Sequence, residues 1–178
     1  AITTAQHSVH VTNIAPSNPV AELYLGETRI FPDSRGVFIV LEGDEVTFWG
    51  QADDSSNDLE SLNHIWKPDA EDLPDLNFSS YGERSTISGV SYNTSGMHLA
   101  TLQVFDDDGE STEVLIVPIQ VENVAPLISP ITTTLGQLDE DEEFTISPQV
   151  IETGTDSERL VHCFDLNPVD DSDSDGQS

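Results

Sequence analysis

The chain is poor in cysteine and in basic residues, and it has no long apolar run. Its 178 residues include one cysteine, Cys163, so an internal disulfide is excluded and stability must come from packing or from a bound metal. Five Lys and Arg stand against 34 Asp and Glu, a formal charge of −29, which argues against nucleic acid and acidic membrane surfaces as partners. No apolar run reaches the roughly 18 residues of a membrane span, so we expect no membrane insertion in this segment.

The hydrophobic share is low as well, at 36% of the chain. Val, Ile, Leu and Phe nevertheless recur in short alternating runs, which argues against disorder and predicts a fold with a thin core. An acidic excess of this size fits surroundings rich in salt or Ca²⁺, where counterions screen the repulsion between carboxylates. We therefore expect an extracellular or cell-surface location.

A helical pattern is also missing, because no apolar stripe recurs with a period of 3.6 residues. Alternation with a period of two marks six runs between clusters of Gly, Pro, Asn, Asp and Ser, namely 20–25, 37–41, 45–51, 61–67, 98–105 and 113–122. About seven short strands in roughly 110 residues are typical of an antiparallel β-sandwich. The predicted fold class is all-β, an immunoglobulin-like sandwich.

An internal repeat organises the chain. Two copies of an Asn-x-Ala-Pro motif, at 13–16 and 123–126, lie 110 residues apart. In addition, 43–69 aligns without gaps with 141–167 at an offset of 98, which pairs Val46 with Phe144, His64 with His162 and Trp66 with Phe164. The two offsets differ by 110 − 98 = 12 residues, which predicts an extra hairpin within 21–38 of the first copy.

The Asn-x-Ala-Pro motif is interpreted as a module boundary. Residues 1–14 are then the last strand of a preceding module, 15–124 a complete module, and 125–178 the first half of a following module. Pro16 and Pro126 restrict the residues before them to extended conformations and remove a backbone donor, so the linkers should be short and stiff. Tandem modules with stiff joints predict a rod.

The order of these segments resembles the PKD (polycystic kidney disease) domain and its relatives in microbial surface proteins. An early strand leads into an Asp-rich loop at 52–58, and an aromatic strand follows. The family segment Gly-x-x-x-x-x-Leu-x-Val-x-Asp-x-x-Gly is matched by Gly96, Leu102, Val104, Asp106 and Gly109. The resemblance covers 43–126 and part of 127–167. The chain departs from the family after Trp66, where "KPDAEDLPDLNF" replaces the usual Phe-Gly-Asp-Gly ending.

Comparison of the two copies separates core from surface positions. Val46 and Phe48 are apolar in both copies and are expected to be buried, whereas Trp49 lies between them and becomes Ser147 in the second copy. Trp49 should therefore face outward. It is a candidate ligand-binding residue that would stack on a sugar ring or dock on a neighbouring module; the alternative is that the extra hairpin covers it.

Leu62, His64 and Trp66 share the other face of their strand, and Trp66 is expected to be the core aromatic of the sandwich. His64 invites a metal or catalytic interpretation, but no second His or Cys stands at ligand spacing. A hydrogen-bonded histidine in the core or at an edge is therefore the favoured interpretation.

Carboxylates cluster in two loops. The first, "ADDSSND" at 52–58, contains Asp53 and Asp58, and the second, "DDDGE" at 106–110, begins with Asp106. Hard oxygen ligands on flexible loops are what Ca²⁺ requires, and loops at one end of a sandwich converge. The PKD resemblance also implies Ca²⁺ near a module end, at positions matching Asp53, Asp58 and Asp106. The alternative is that the clusters follow from the acidic composition alone.

The end of the chain adds a third acidic segment. In "DDSDSDGQS", Asp171, Asp173, Asp175 and Gly176 match the opening of an EF-hand calcium loop, whose twelfth-position Glu would fall beyond Ser178. It is also similar to the Asp-rich calcium-binding spacers of surface proteins. A disordered acidic end is the favoured alternative.

Motifs for catalysis are missing. No Gly-x-Ser-x-Gly elbow, His-Glu-x-x-His or phosphate-binding glycine loop occurs, and a sandwich of this size offers little cleft for paired carboxylates. The chain is therefore predicted not to be an enzyme. The function expected first is structural and adhesive: tandem modules in a rod or filament on a microbial surface, with Ca²⁺ as the expected cofactor.

Two other functions remain open. The chain could be an accessory module of a secreted hydrolase that binds polysaccharide or a matrix protein such as collagen, with Trp49 and either Tyr81 or Tyr92 as an aromatic platform. It could also self-assemble, because an incomplete sandwich exposes strand edges to which residues 1–14 of an identical subunit could add. The expected partners are therefore neighbouring modules, identical subunits, polysaccharide or matrix protein.

Overall fold

The structure, a computed structural model, describes residues 7–70, 77–129, 148–152, 160–161 and 163. The chain divides into two compact units, Ala1–Ala125 and Pro126–Ser178. The first unit contains nine strands among these residues and the second contains two. In the described part of the chain, no helix is long and apolar enough to cross a membrane.

The nine strands of the first unit follow one another through short turns and loops. They are β1 Ser17–Leu25, β2 Thr28–Ile30, β3 Phe38–Leu41, β4 Glu45–Asp53, β5 Asn63–Lys67, β6 Phe78–Tyr81, β7 Arg84–Ser91, β8 Gly96–Phe105 and β9 Leu115–Glu122.

Two sheets face each other across the core. One has four strands in the order β2-β1-β4-β7, and the other has five in the order β3-β9-β8-β5-β6. Neighbouring strands are antiparallel except β3, which runs parallel to β9. The predicted all-β, immunoglobulin-like sandwich is confirmed, with this one parallel pair as a departure from a purely antiparallel arrangement.

The core forms because alternate side chains of each strand point inward. Val46 and Phe48 on β4 are fully buried, as expected from their apolar character in both copies, and Trp49 between them is 36% exposed. On β5, Leu62 just before the strand, His64 and Trp66 are all fully buried. The rings of Phe48 and Trp66 meet across the core with centroids 5.3 Å apart, which joins the two sheets.

Six predicted runs became strands, but two strands were missed. β6 and β7 carry Ser, Arg, Thr and Gly in place of a strong apolar alternation, so their sequences gave little signal. The predicted extra hairpin within 21–38 is β1 with β2, closed by a two-residue loop from Leu25 to Thr28. Gly26 in that loop has a φ of +58°, a conformation that favours glycine.

The second unit is described through one short hairpin. β10 Leu127–Ile128 pairs antiparallel with β11 Val150–Ile151, and Leu127 lies opposite Ile151. Subtracting the motif offset of 110 from position 127 gives position 17, and subtracting the alignment offset of 98 from position 151 gives position 53. Ser17 and Asp53 are paired in the first unit. The same two offsets that align the sequences therefore relate this one pair of opposite residues in each unit.

Candidate functional site

The candidate site of the first unit lies at one end of the sandwich, where β4 and β8 finish and β1 and β9 begin. It is called the linker end, because residues 7–16 reach the sandwich there. Residues 7–16 form no strand, and most of them are exposed, including Val9 and Val11. Pro16, the last residue of the Asn-x-Ala-Pro motif, is buried. The two predicted acidic loops, 52–58 and 106–110, both lie at this end.

Asn13, the first residue of the motif, fastens the linker to the second acidic loop. Its side-chain amide Nδ2 donates to Asp106 Oδ2 at 2.8 Å and lies 3.5 Å from Glu110 Oε2. Asp106 Oδ1 also accepts the main-chain N–H of Glu110 at 2.8 Å, which closes the loop on itself. Gly109 turns the chain here with a φ of +88°. One carboxylate therefore holds both its own loop and the linker.

The environment keeps Asp106 ionised although the residue is only 6% exposed. Burial acts to raise the pKa of this carboxyl, but hydrogen bonds from the Asn13 side chain and from the main chain of Glu110, Gly109 and Asp108 outweigh it and hold the pKa below its ordinary value. A carboxylate that accepts several such bonds is a fixed structural element. Its predicted role as a metal ligand stays a prediction.

The two predicted carboxylates of the first acidic loop each have a separate partner. Asp53 Oδ2 accepts from the Asn18 side chain at 3.0 Å. Asp58 Oδ2 accepts from Ser55 Oγ at 2.7 Å. Both hydrogen bonds are exposed and lie within the linker end.

A shallow depression of about 320 Å³ lies beside Asp53 and is lined by Gln51, Ala52, Asp53, Asp54, Leu59 and Glu83. Asp54 Oδ1 accepts the main-chain N–H of Ser55, whereas Asp54 Oδ2 is buried and has no hydrogen-bond partner. An unpartnered buried carboxylate oxygen is the kind of atom a cation would satisfy. Among the described residues, however, no three His, Cys, Asp or Glu side chains are grouped closely enough to hold a metal ion.

Some residues named in the sequence analysis are not among those that the structure describes. Asp171, Asp173 and Asp175 of the acidic end lie outside the described residues, as do His162 and Phe164 of the second copy. Glu83, in contrast, was not anticipated, because it stands 30 residues after Asp53 in a turn between the two strands that the sequence pattern missed.

His64 is a core residue whose ring nitrogens make no hydrogen bond of full geometry. The side chain is fully buried, and neither ring nitrogen has a hydrogen-bond partner. Its strand neighbours in register are Val104 on β8 and Ser80 on β6. Burial lowers the pKa of His64 below its ordinary value of 6.5, against a smaller opposing effect from the Ser80 main chain. The core position expected of His64 is therefore confirmed, and of the hydrogen bond expected with it only a weak interaction with the Ser80 main chain is present.

His64 should make the first unit less stable in mild acid. Because its pKa is lowered in the folded state, the unfolded chain binds the proton first, and stability falls as pH drops below about 6.5, by at most about 1.4 kcal/mol per pH unit. We expect His64→Leu to remove this loss. Urea unfolding of the wild type and of His64→Leu at pH 7.5 and pH 5.5, followed by tryptophan fluorescence, measures the loss of stability. Protonation of the carboxylates lowers the stability of both proteins alike, so the difference between them reports on His64. An equal difference between the two proteins at both pH values would contradict the prediction.

Trp49 lies on the outer face of the four-stranded sheet, in the middle of β4. Its indole meets the ring of Tyr24 with centroids 5.9 Å apart and an angle of 49°, so β1 of the extra hairpin flanks it without covering it. Arg84 and Gln51 lie beside it around a depression of about 20 Å³, room for little more than a water molecule. A ligand would therefore lie on this face and not within a pocket.

The charges around Trp49 are only partly paired. Glu22, opposite Trp49 on β1, bonds Arg29 through Oε1 at 2.9 Å and accepts from the Tyr24 hydroxyl through Oε2 at 2.8 Å. That second bond raises the pKa of Tyr24 above its ordinary value. The described residues offer Arg84 no ion-pair partner.

The predicted aromatic platform is wrong in its second member. Tyr92 is fully buried, and its hydroxyl donates to the Pro68 carbonyl at 2.7 Å. Tyr81 is 72% exposed but belongs to β6, in the other sheet. Tyr24 takes the expected place because β1 pairs with β4, a neighbourhood that sequence spacing does not reveal.

Comparison with known proteins gives one solved structure to consider. No protein-family model and no curated protein matches the chain. The "PKD domain of M14-like peptidase from Thermoplasmatales archaeon SCGC AB-540-F20" is similar over 62% of this chain and 98% of its own, with 11% sequence identity and a TM-score of 0.44. The likeness concerns the fold, and neither a function nor a site residue is carried from it.

Proposed function

We propose that the first unit is a non-catalytic spacer module of an extracellular or cell-surface protein. The observation that carries the proposal is the bond from Asn13 to Asp106, which joins residues 93 positions apart. A linker that is fastened to the sandwich, and whose Pro16 is buried, leaves the module in a fixed direction. Fixed directions at module joints are what a rod requires, and the −29 charge keeps such a rod hydrated.

The second unit supports the tandem part of this proposal. The pairing of Leu127 with Ile151 corresponds to the pairing of Ser17 with Asp53 once the two sequence offsets are applied. Asn123 begins the second Asn-x-Ala-Pro motif, as Asn13 begins the first. We propose that the motif recurs because each module fastens its own incoming linker.

Ca²⁺ is proposed as a ligand of the linker end. Asp54 supplies a buried oxygen without a partner, and Asp53 and Glu83 line the same depression. These side chains would have to close around the ion, because they are not grouped for coordination in the structure. When bound, Ca²⁺ would neutralise carboxylates that otherwise repel one another. Asp58 and Asp106 are engaged in their own loops and are the less favoured ligands of the predicted set.

The proposal is tested by measuring the order of the linker. We expect ¹⁵N–¹H heteronuclear NOE values for the linker amides up to Asn13 to match those of the sheets in the wild type and to fall in Asn13→Ala. Asn57→Ala, in the exposed part of the first acidic loop, is the matched control and should change nothing in the linker. An equally mobile linker in the wild type and in Asn13→Ala would reject the spacer function.

The same samples test Ca²⁺. The thermal midpoint of the first unit, followed by tryptophan fluorescence, should rise with Ca²⁺ relative to EDTA and relative to Mg²⁺ at matched ionic strength. Ligand at 100 times its dissociation constant stabilises by about 2.7 kcal/mol. Asp54→Asn should abolish the rise if the depression binds the ion. Equal midpoints in all three solutions would reject Ca²⁺ as a ligand of the linker end. They would not affect the test of linker order.

As a second candidate function, we propose that the Trp49 face binds a polysaccharide, with the chain as an accessory module of a secreted hydrolase. The favouring observation is the arrangement on one flat face of the partly exposed Trp49 indole, the Gln51 amide and the Arg84 guanidinium, which has no ion-pair partner among the described residues. An indole stacks on the C–H face of a pyranose ring, while the two polar groups donate to hydroxyls.

Trp49→Ala should reduce retention on an insoluble neutral polysaccharide such as cellulose or chitin by about tenfold, the loss of a contact worth about 1.4 kcal/mol. Tyr81→Ala is the matched control, because it removes an exposed aromatic ring from the other sheet. Co-sedimentation with the washed polymer measures the bound fraction. Equal retention of Trp49→Ala and the wild type would remove this face as the binding site.

A further inference from the structure

The first unit contains two Asn-x-Ser/Thr triplets, at 77–79 and at 93–95. This triplet, with any residue except proline in the middle, is the acceptor of N-linked glycosylation, and it is used where an extracellular protein presents it on its surface. The other six asparagines of the chain lack a Ser or Thr two positions later. The triplet alone is common, so the structure must decide which of the two can carry a sugar.

The first triplet faces solvent. Asn77 stands immediately before β6 and is exposed, as is Ser79. Phe78 between them packs against the core, so the alternation of the strand turns both of its neighbours outward. No hydrogen bond joins the Asn77 side chain to another described residue. An oligosaccharide on Asn77 Nδ2 therefore projects from the sandwich without breaking a contact within the described part of the chain.

The second triplet lies in a more crowded place. Asn93 is in the loop between β7 and β8 and is half-buried. Tyr92 before it is fully buried, and the Tyr92 carbonyl accepts the main-chain N–H of Gly43 at 3.0 Å. Gly96, at the end of the same loop, lies opposite Val121 of β9, two residues before the second Asn-x-Ala-Pro motif. A sugar on Asn93 would stand in a packed loop, beside the point where the chain leaves the first unit.

The position of Asn77 also gives a sugar there a structural role. β6 is the last strand of the five-stranded sheet, and its outer side pairs with no other described strand. Phe78 lies opposite Trp66, and Trp66 lies opposite Leu102 within β8, so Asn77 stands at the side of the sheet and not at the linker end. A bulky hydrophilic group beside an open strand edge hinders the addition of a further strand.

We propose that Asn77 carries an N-linked oligosaccharide, an inference that rests on the extracellular location proposed above. A transferase of the secretory pathway moves the sugar from a lipid diphosphate carrier. Asn77 Nδ2 loses a proton and forms a bond to the anomeric carbon of the first sugar. The bond from that carbon to the diphosphate oxygen breaks, and the lipid diphosphate leaves with the electron pair.

The Ser79 hydroxyl completes the triplet that the transferase recognises. In the folded protein this hydroxyl donates to Asn63 Oδ1 at 2.5 Å, across the pairing of β6 with β5. A hydroxyl held in this way is not available to a transferase. Attachment therefore precedes the pairing of β6, and the finished fold accommodates the sugar because Asn77 itself stays exposed.

Mass spectrometry of the full chain tests the proposal in two preparations, the protein from its native cells and the protein secreted by a eukaryotic expression host. Masses are measured after reduction, because Cys163 is exposed and could link two copies. The peptide that contains Asn77 should carry one oligosaccharide in both preparations. An amidase that releases N-linked sugars should convert Asn77 to aspartate, which marks the attachment site in the peptide map.

Variants made in the expression host assign the site. Asn77→Gln and Ser79→Ala should each reduce the occupied fraction of the 77–79 triplet to background, whereas Ser79→Thr keeps a hydroxyl and should keep the sugar. Asn93→Gln is the matched control and should leave the Asn77 peptide modified. The thermal midpoint of the glycosylated chain should be no lower than that of the chain after release of the sugar.

Three results would overturn the proposal. An unmodified Asn77 peptide in either preparation shows that this residue is not the acceptor. Modification confined to Asn93 places the sugar in the other loop. A lower thermal midpoint with the sugar than without it shows that the fold does not accommodate the attachment. None of these results bears on linker order or polysaccharide retention, which are measured on the chain produced without sugars in a bacterial cytosol.

Discussion

Replacing Trp66 with alanine should lower the free energy of unfolding of the first unit by about 3–5 kcal/mol, the usual cost of removing a large aromatic from a core. The side chain is fully buried, packs on Phe48 of the opposite sheet and donates its indole N–H to Ser85 Oγ at 2.9 Å. Its removal leaves a cavity between the sheets and a buried hydroxyl without that donor. Urea unfolding followed by the fluorescence of the remaining tryptophan, Trp49, measures the loss.

Trp49→Ala is the natural control, because the chain has two tryptophans and both lie in the first unit. Trp49 stands on an outer face, so its removal should cost no more than about 1 kcal/mol. Trp66→Phe keeps a ring in the core but loses the hydrogen bond to Ser85, so it should lower the free energy of unfolding by about 1–2 kcal/mol. This variant can be measured even if Trp66→Ala fails to fold. Equal losses for Trp49→Ala and Trp66→Ala would contradict the assignment of Trp66 to the core.

The sequence predicted the parts of the fold that depend on local alternation. Val46, Phe48 and Trp66 were placed in the core from their period of two and their recurrence in a second copy, and all three are fully buried. Pattern also gave the outward direction of Trp49 and the hairpin of β1 with β2. These features follow from how each strand presents its own side chains, which neighbours along the chain already determine.

Features that depend on which strands become neighbours could not be predicted. The bond between Asn13 and Asp106 needs the end of β8 to lie beside the start of β1, and the contact of Tyr24 with Trp49 needs β1 to pair with β4. The parallel pairing of β3 with β9, which places Val40 opposite Val121 in the core, is a third such neighbourhood. His64 shows a different limit: its burial was predictable from alternation, but the groups that its ring nitrogens meet depend on the strands packed around it.

Gly50 was missed for a related reason. It lies on β4 between Trp49 and Gln51, and a Cβ built there would come within 2.8 Å of Trp66 Cζ2, 2.9 Å of Ser85 Oγ and 3.0 Å of Leu102 Cδ2. The glycine therefore permits the close approach of the two sheets. The aligned position of the second copy, 50 + 98 = 148, is Pro148, so comparison of the copies gave no signal.

Gly50→Ala should lower the free energy of unfolding by about 2 kcal/mol, and Gly50→Val by more, because an overpacked core must shift rigid neighbours. Alanine also restricts the unfolded chain, which by itself stabilises the fold by about 0.5–1 kcal/mol. The measured loss is therefore smaller than the cost of the overpacked core by that amount. Urea unfolding followed by tryptophan fluorescence again gives the value. A neutral or stabilising Gly50→Ala would show that the sheets separate easily at this point.

The double variant Gly50→Ala/Trp66→Phe identifies the atom responsible. Phenylalanine lacks Cζ2, the atom closest to the added methyl group, so the space it vacates can accept that group. The double variant should therefore lose less stability than the sum of the two single variants, with a coupling of about 0.5–1.5 kcal/mol, as contacting residues in one core show. Simple additivity would assign the clash to Ser85 or Leu102. A positive coupling would establish that the core tryptophan and the small residue facing it across the sandwich set the distance between the two sheets together.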